Sequence, residues 1–169
     1  IAYSEFEEAV QEFSATELRS GKGAANMKSS GNSFLDGSVD FDNDLCDVNG
    51  ANDLGLTCYN GNFEPSQATP YYFSVGAVNS DGKHTSYSTA GANLLVSAPA
   101  GEYGELAPAM VTTDQMTCLR GYSSFTGVDN YDKAYWPGFF AGYFPFNNPG
   151  HEDNTSCNYT ATFNGTSSA

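Results

Sequence analysis

At 169 residues the chain is long enough for one domain of ordinary size. Twenty acidic against six basic side chains give a formal charge of −14, which repels phosphate backbones and the anionic face of a membrane and argues against a nucleic-acid partner. Hydrophobic residues reach 40%, yet no apolar run approaches the roughly 18 residues needed to span a bilayer, so no membrane role is expected.

Taken in chain order, residues 4–19 carry a helix pattern: Phe6, Ala9, Val10 and Phe13 recur at i, i+3, i+4 and i+7 and form one apolar stripe. Ser4 and Glu7 stand at capping-box spacing, Glu5 and Glu8 add negative charge at the positive end of the dipole, and Gly21 follows Arg19 as a stop. Residues 24–30 are short and rather polar and run into Gly31-Asn32; they are expected as a strand only through the resemblance given below. From 35 to 67 the composition turns to Asp, Asn and Gly, which predicts a long irregular loop. Residues 71–78 are β-branched and aromatic and end in Asn79-Ser80-Asp81-Gly82, a strand followed by a turn. Residues 94–96 form a second strand, stopped by Pro99, and residues 110–113 a third candidate. The stretch 121–150 is rich in Tyr and Phe among Gly and Pro with no clean period; it reads as a loop packed by its own aromatics rather than as a ligand platform.

Four cysteines allow three pairings. Bridges Cys46–Cys58 and Cys118–Cys157 are expected, because each closes an irregular loop, and they imply an oxidising compartment. Zinc is disfavoured, since there is no C-x-x-C pair and neither histidine sits at ligand spacing. Asp40, Asp42, Asp44 and Asp47 offer hard oxygen ligands for calcium, although Leu45 occupies the place of the EF-hand glycine; the plainer alternative is a solvated acidic loop. The sequons at Asn154, Asn158 and Asn164 are read as composition.

Four landmarks remain, in fixed order: Ser29-Ser30-Gly31-Asn32 after a helix and a Gly-Lys-Gly turn; Val75-Gly76-Ala77-Val78 followed by Ser86-Tyr87-Ser88-Thr89-Ala90-Gly91; Leu94-Leu95-Val96-Ser97-Ala98-Pro99-Ala100-Gly101; and Asn164-Gly165-Thr166-Ser167-Ser168-Ala169. Each alone is a common peptide. Together, in order and spacing, they resemble the subtilisin-like (subtilase) serine proteases, and Val111-Thr112-Thr113-Asp114 with a cysteine ahead of Gly-Thr-Ser is similar to the kexin-like branch.

The resemblance implies an α/β fold, a mostly parallel sheet with flanking helices, of which residues 1–169 are one partial domain, the C-terminal part, with loop insertions at 35–67 and 119–156. It implies that Ser167 is the nucleophile, that Asn32 and the Ser167 N–H are oxyanion donors, and that Ser29, Ser30 and Gly31 wall the pocket for the residue preceding the cleaved bond. Loop-bound calcium is common in that family, which strengthens the calcium expectation. The family order is Asp, His, oxyanion Asn, Ser. No histidine precedes Asn32, and His84 and His151 sit in polar, loop-like surroundings where exposed surface residues are expected. The strand that pairs with substrate is likewise expected upstream of Ile1, and a leader or upstream domain could have been removed. The chain stops two residues after Ser167, before the helix that the family places there. The resulting expectation is a secreted serine endopeptidase segment, inactive alone, whose partners are a peptide or protein substrate and the remainder of the catalytic domain. Two alternatives stay open: a degenerate, non-catalytic relative, and an acidic, calcium-dependent extracellular binding module that uses residues 122–146.

Overall fold

The structure, a computed structural model, describes residues 4–34, 50–102, 108–123 and 145–169. The opening helix, α1 (Glu5–Thr16), is capped as its sequence dictates. Glu7 N donates to Ser4 Oγ (3.2 Å), and Glu7 Oε2 accepts from Ser4 N and Ser4 Oγ, both at 3.0 Å. Those bonds hold the Glu7 carboxyl below its ordinary pKa. Its contribution to the helix is therefore complete above the ordinary glutamate range and is lost as pH falls through the lowered value.

The regular helix ends before residue 19. Arg19 (φ 58°) and Ser20 (φ 62°) enter the left-handed region within a kinked turn, Leu18–Gly21. Gly23 (φ +69°) then packs so closely on the helix that a Cβ there would meet the Ala15 carbonyl, which is why the chain can reverse only on glycine. No residue of α1 is buried, and its apolar stripe stays open, with Phe6 77%, Val10 51% and Phe13 56% exposed.

Contacts cluster into two compact units, Ile1–Pro99 with Gly165–Ala169, and Ala100–Asn164. In the first, β1 (Met27–Ser29), β2 (Phe73–Val78) and β3 (Leu94–Pro99) form a three-stranded parallel sheet in the order β1-β2-β3. The central strand β2 is buried over Ser74–Ala77, as expected for a strand flanked on both edges. The third strand runs three residues beyond the expected stretch, to Pro99, pairing Ala77 with Ala98 and Val78 with Pro99. The core of this unit is unusually polar: Ser30, Ser74, Thr85, Ser88 and Thr89 are each at most 1% exposed, beside Val75, Ala77 and Tyr87. Much of that polarity is satisfied internally, as where Ala77 N donates to Ser88 Oγ at 3.0 Å. Within the expected loop 35–67, the described residues hold two short 3-10 turns, Asn52–Leu54 and Gly61–Phe63.

In the second unit, β4 (Met110–Thr113) pairs antiparallel with β5 (Tyr159–Phe163), a strand that the sequence reading left unassigned. Asp114 organises the turn beyond β4: its carboxylate accepts from Ser123 N (2.8 Å), while Ser123 Oγ donates to Tyr159 O (2.6 Å). The expected bridge Cys118–Cys157 is formed, and Cys157 is fully buried. Cys58 is also disulfide-bonded, while its expected partner Cys46 lies outside the described residues. The Cys118–Cys157 bridge closes a loop of sequence separation 39. Replacing both cysteines by serine in the full-length protein should cost about 4 kcal/mol, read as a lowered thermal midpoint. An unchanged midpoint would show that the antiparallel pair β4–β5 does not depend on the bridge.

Candidate active site

Parallel sheets present their carboxyl ends as sites, because the loops that leave them can converge there. The chain leaving β1 makes such a loop at once. Ser30 N donates to Val75 O (2.9 Å), prolonging the pairing with β2, and Gly31 then turns at φ +98°. Thr89 clasps this turn from both sides: its N–H donates to Gly31 O and its Oγ1 accepts from Ser33 N, both at 2.9 Å. Asn32, exposed, sits between the two clasped residues.

The distant residues Gly165–Ser168 meet Asn32 there. Thr166 donates twice to Asn32 Oδ1, from its N–H (2.8 Å) and from its hydroxyl (3.0 Å), and Thr166 Oγ1 in turn accepts from Gly31 N (3.1 Å). Because a backbone N–H can only donate, Asn32 Oδ1 is fixed toward Thr166 and the Nδ2 amine toward the other side. That amine donates to no described residue. Thr166–Ser168 forms a single 3-10 turn whose N-cap is Gly165 (φ 84°, ψ 161°). Glycine suits this position by its φ, and a Cβ here would also stand a tight 3.1 Å from Asn32 Nδ2.

Ser167 is exposed on this turn, and neither its hydroxyl nor its N–H bonds to any described residue. The turn is held by its neighbours instead: Gly165 N donates to the Tyr87 hydroxyl (3.0 Å), and Gly165 O accepts from Ser168 N (3.0 Å) and Ser168 Oγ (2.7 Å). A free hydroxyl, a free N–H and an oriented amide amine are thus presented by one pair of loops. Such a set can deliver a nucleophile and donate hydrogen bonds to an oxygen that gains charge.

The other expected site residues are placed as follows. Ser29 lines a cavity of about 600 Å³ beside the turn, with Met27, Lys28, Val75, Val96, Ala98, Thr166, Ser167 and Ala169. Ser30, expected as pocket wall, is 1% exposed, its Oγ 3.4 Å from Ser88 Oγ, so its side chain belongs to the core. Gly31 and Asn32 do not line that cavity. His84 is exposed and packs against Phe34 with the rings tilted, 4.7 Å between centroids. His151, expected on the surface, is half-buried: Nδ1 accepts from Asp153 N (3.2 Å) and the ring lies 5.5 Å from Phe146. Asp40, Asp42, Asp44 and Asp47 lie outside the described residues, among which no group of three His, Cys, Asp or Glu could hold a metal. Thr166, Thr89 and Tyr87 had no role assigned from sequence. Their partners lie up to 135 residues away, and their places in the second and fourth landmarks carry no mark of those bonds.

No protein-family model matches the chain. It is similar to a microbial serine proteinase of Aeromonas salmonicida, 41% identical over 113 residues, which is 65% of this chain and 16% of that protein. It is also similar to an extracellular serine protease of Aeromonas sobria, 35% identical over 151 residues, 88% of this chain and 21% of that protein. The crystal structure of the A. sobria serine protease matches 99% of this chain and 26% of its own, with a TM-score of 0.65 and 29% identity. The same protease in complex with a chaperone matches with a TM-score of 0.65 and 28% identity over 25% of its chain. The chain therefore spans about a fifth of the length of the curated relatives it matches.

Proposed function

Since the chain is part of a subtilase-like serine protease, we propose that it carries the nucleophile and oxyanion donors of a secreted endopeptidase, with Ser167 as nucleophile and Asn32 Nδ2 and Ser167 N–H as donors. The observation that carries this reading is the pinning of Asn32 Oδ1 by both Thr166 donors, which leaves the amide amine without a described acceptor on the loop that meets the turn of the unbonded Ser167.

In the reaction, Ser167 Oγ attacks the carbonyl carbon of a peptide substrate and gives its proton to a general base. The carbonyl oxygen gains charge and takes the two donor N–H groups, and the C–N bond then breaks as the amine leaves with a proton. Water repeats the attack on the acyl ester and restores the serine. The base and its orienting acid come from outside these residues, so the 169-residue chain alone is inactive. Secretion is extended from the relative that is named extracellular, and the Cys118–Cys157 bridge fits that compartment.

A fluorophosphonate probe offered to the full-length protein should label Ser167, located by peptide mapping. A folded full-length protein that stays unlabelled would refute the assignment. Calcium at Asp40, Asp42, Asp44 and Asp47 is carried as a proposal from sequence alone. Melting in calcium at a hundred times its dissociation constant should exceed melting in chelator by about 2.7 kcal/mol of stability, and identical transitions would remove the ion.

A further inference from the structure

We infer that Tyr87 is a positioning residue which, through its buried hydroxyl, sets the separation between the nucleophile and the oxyanion amide; this deepens, and rests on, the assignment of Ser167 and Asn32 above. The inference starts from the segment Thr85–Thr89, whose residues Thr85, Tyr87, Ser88 and Thr89 are each at most 1% exposed. Three of them reach different parts of the site. Ser88 Oγ takes Ala77 N and so anchors the segment to the central strand β2. Thr89 clasps Gly31 and Ser33, the two neighbours of Asn32. Tyr87 accepts Gly165 N–H through its phenol oxygen, two residues before Ser167, while its own carbonyl accepts from Phe34 N at 3.1 Å.

One short piece of chain therefore holds the donor loop by one residue and the nucleophile turn by another, with the sheet as the fixed reference. Tyr87 and Thr89 stand two residues apart in a buried segment that turns on itself, Ser88 N donating to Thr85 O at 3.4 Å, and is tied to β2 through Ser88 Oγ, so the two loops are gauged against each other. A ring that is 1% exposed cannot swing to follow a displaced turn, and a side chain locked by packing is what holds a site to a fraction of an ångström. Gly165 N has no alternative acceptor shown, and a buried N–H left unpaired drives the turn to move. Movement of about 1 Å at such a constellation is enough to cost up to 100-fold in rate.

Tyr87→Phe in the full-length protein removes the hydroxyl and keeps the ring. Rates should be normalised by active-site titration, so that only folded enzyme counts. We expect kcat for a peptide amide to fall about 10-fold, the rate of fluorophosphonate inactivation to fall in parallel, and KM to stay within about 2-fold. In an Asn32→Asp background, where the donor is already absent, the same change should cost less than about 3-fold, because there is no longer a separation to keep. An unchanged kcat with a lowered melting temperature would reduce Tyr87 to a packing residue, and so would a full 10-fold loss in the Asn32→Asp background. If Ser167→Ala left hydrolysis intact, the nucleophile assignment itself would fail, a result distinguishable from either outcome at Tyr87.

Discussion

Replacing Ser167 by alanine in the full-length protein should lower kcat about 10⁶-fold and abolish fluorophosphonate labelling, with the melting transition unchanged. The size follows from the loss of covalent catalysis: without Oγ no acyl ester forms, and what remains is the contribution of the oxyanion donors and substrate binding, about 10³–10⁴ over water. The unchanged stability follows from the geometry. Ser167 is exposed, its hydroxyl holds no described partner, and the turn is fastened by Gly165 N to Tyr87, Thr166 N to Asn32 and Ser168 N to Gly165 O, none of which uses the replaced atom. Active-site titration, steady-state kinetics and a thermal scan of the purified variant suffice as a check. A loss of less than 10-fold would mean that another group is the nucleophile.

The fold was legible wherever a local pattern has one physical solution. The capping box at Ser4 and Glu7 and the stripe Phe6, Ala9, Val10, Phe13 admit only a helix there, and α1 forms. Residues 71–78 admit only a strand, and β2 takes all but their first two positions. What covers that helical stripe was not legible, because burial is decided by other elements, and the stripe stays open in the described residues. The kink after Thr16 escaped the periodicity because left-handed Arg19 and Ser20 have no sequence signature of the kind glycine gives. Strand β5 lies just beyond the expected loop 119–156, in residues left unassigned, although Tyr159-Thr160-Ala161-Thr162-Phe163 is β-branched and aromatic and could have been taken for a strand.

The candidate site divides in the same way. Asn32 and Ser167 were singled out because the resemblance fixes their order along the chain, and the structure brings their segments together through Thr166. For Ser30 the side-chain direction was not legible, because a small polar residue next to a turn looks the same from sequence whether its side chain faces substrate or core; here it faces Ser88. Thr89 and Tyr87 stood in the second landmark without a role, since a threonine and a tyrosine in a polar run acquire meaning only when Gly31 and Gly165 arrive beside them.

The second large effect separates the two ends of one amide. Asn32→Ala removes both the Oδ1 that accepts from Thr166 and the Nδ2 that donates to no described residue. It should cost about 10²–10³-fold in kcat for the lost oxyanion donor, and about 1–3 kcal/mol of stability for leaving the Thr166 N–H and hydroxyl unpaired. Asn32→Asp restores the acceptor without the donor. Its carboxylate can still take both Thr166 bonds, so stability should return close to that of the parent, while kcat should fall at least as far as in Asn32→Ala, because a negative oxygen then stands where charge develops on the substrate. A structural role predicts the opposite ranking, with Asn32→Asp close to the parent in rate as well as in melting. The two variants, compared for kcat and thermal midpoint in the same full-length background, decide the matter: a kcat for Asn32→Asp within about 10-fold of the parent would remove Asn32 from the oxyanion site and leave it as the clasp of the nucleophile turn.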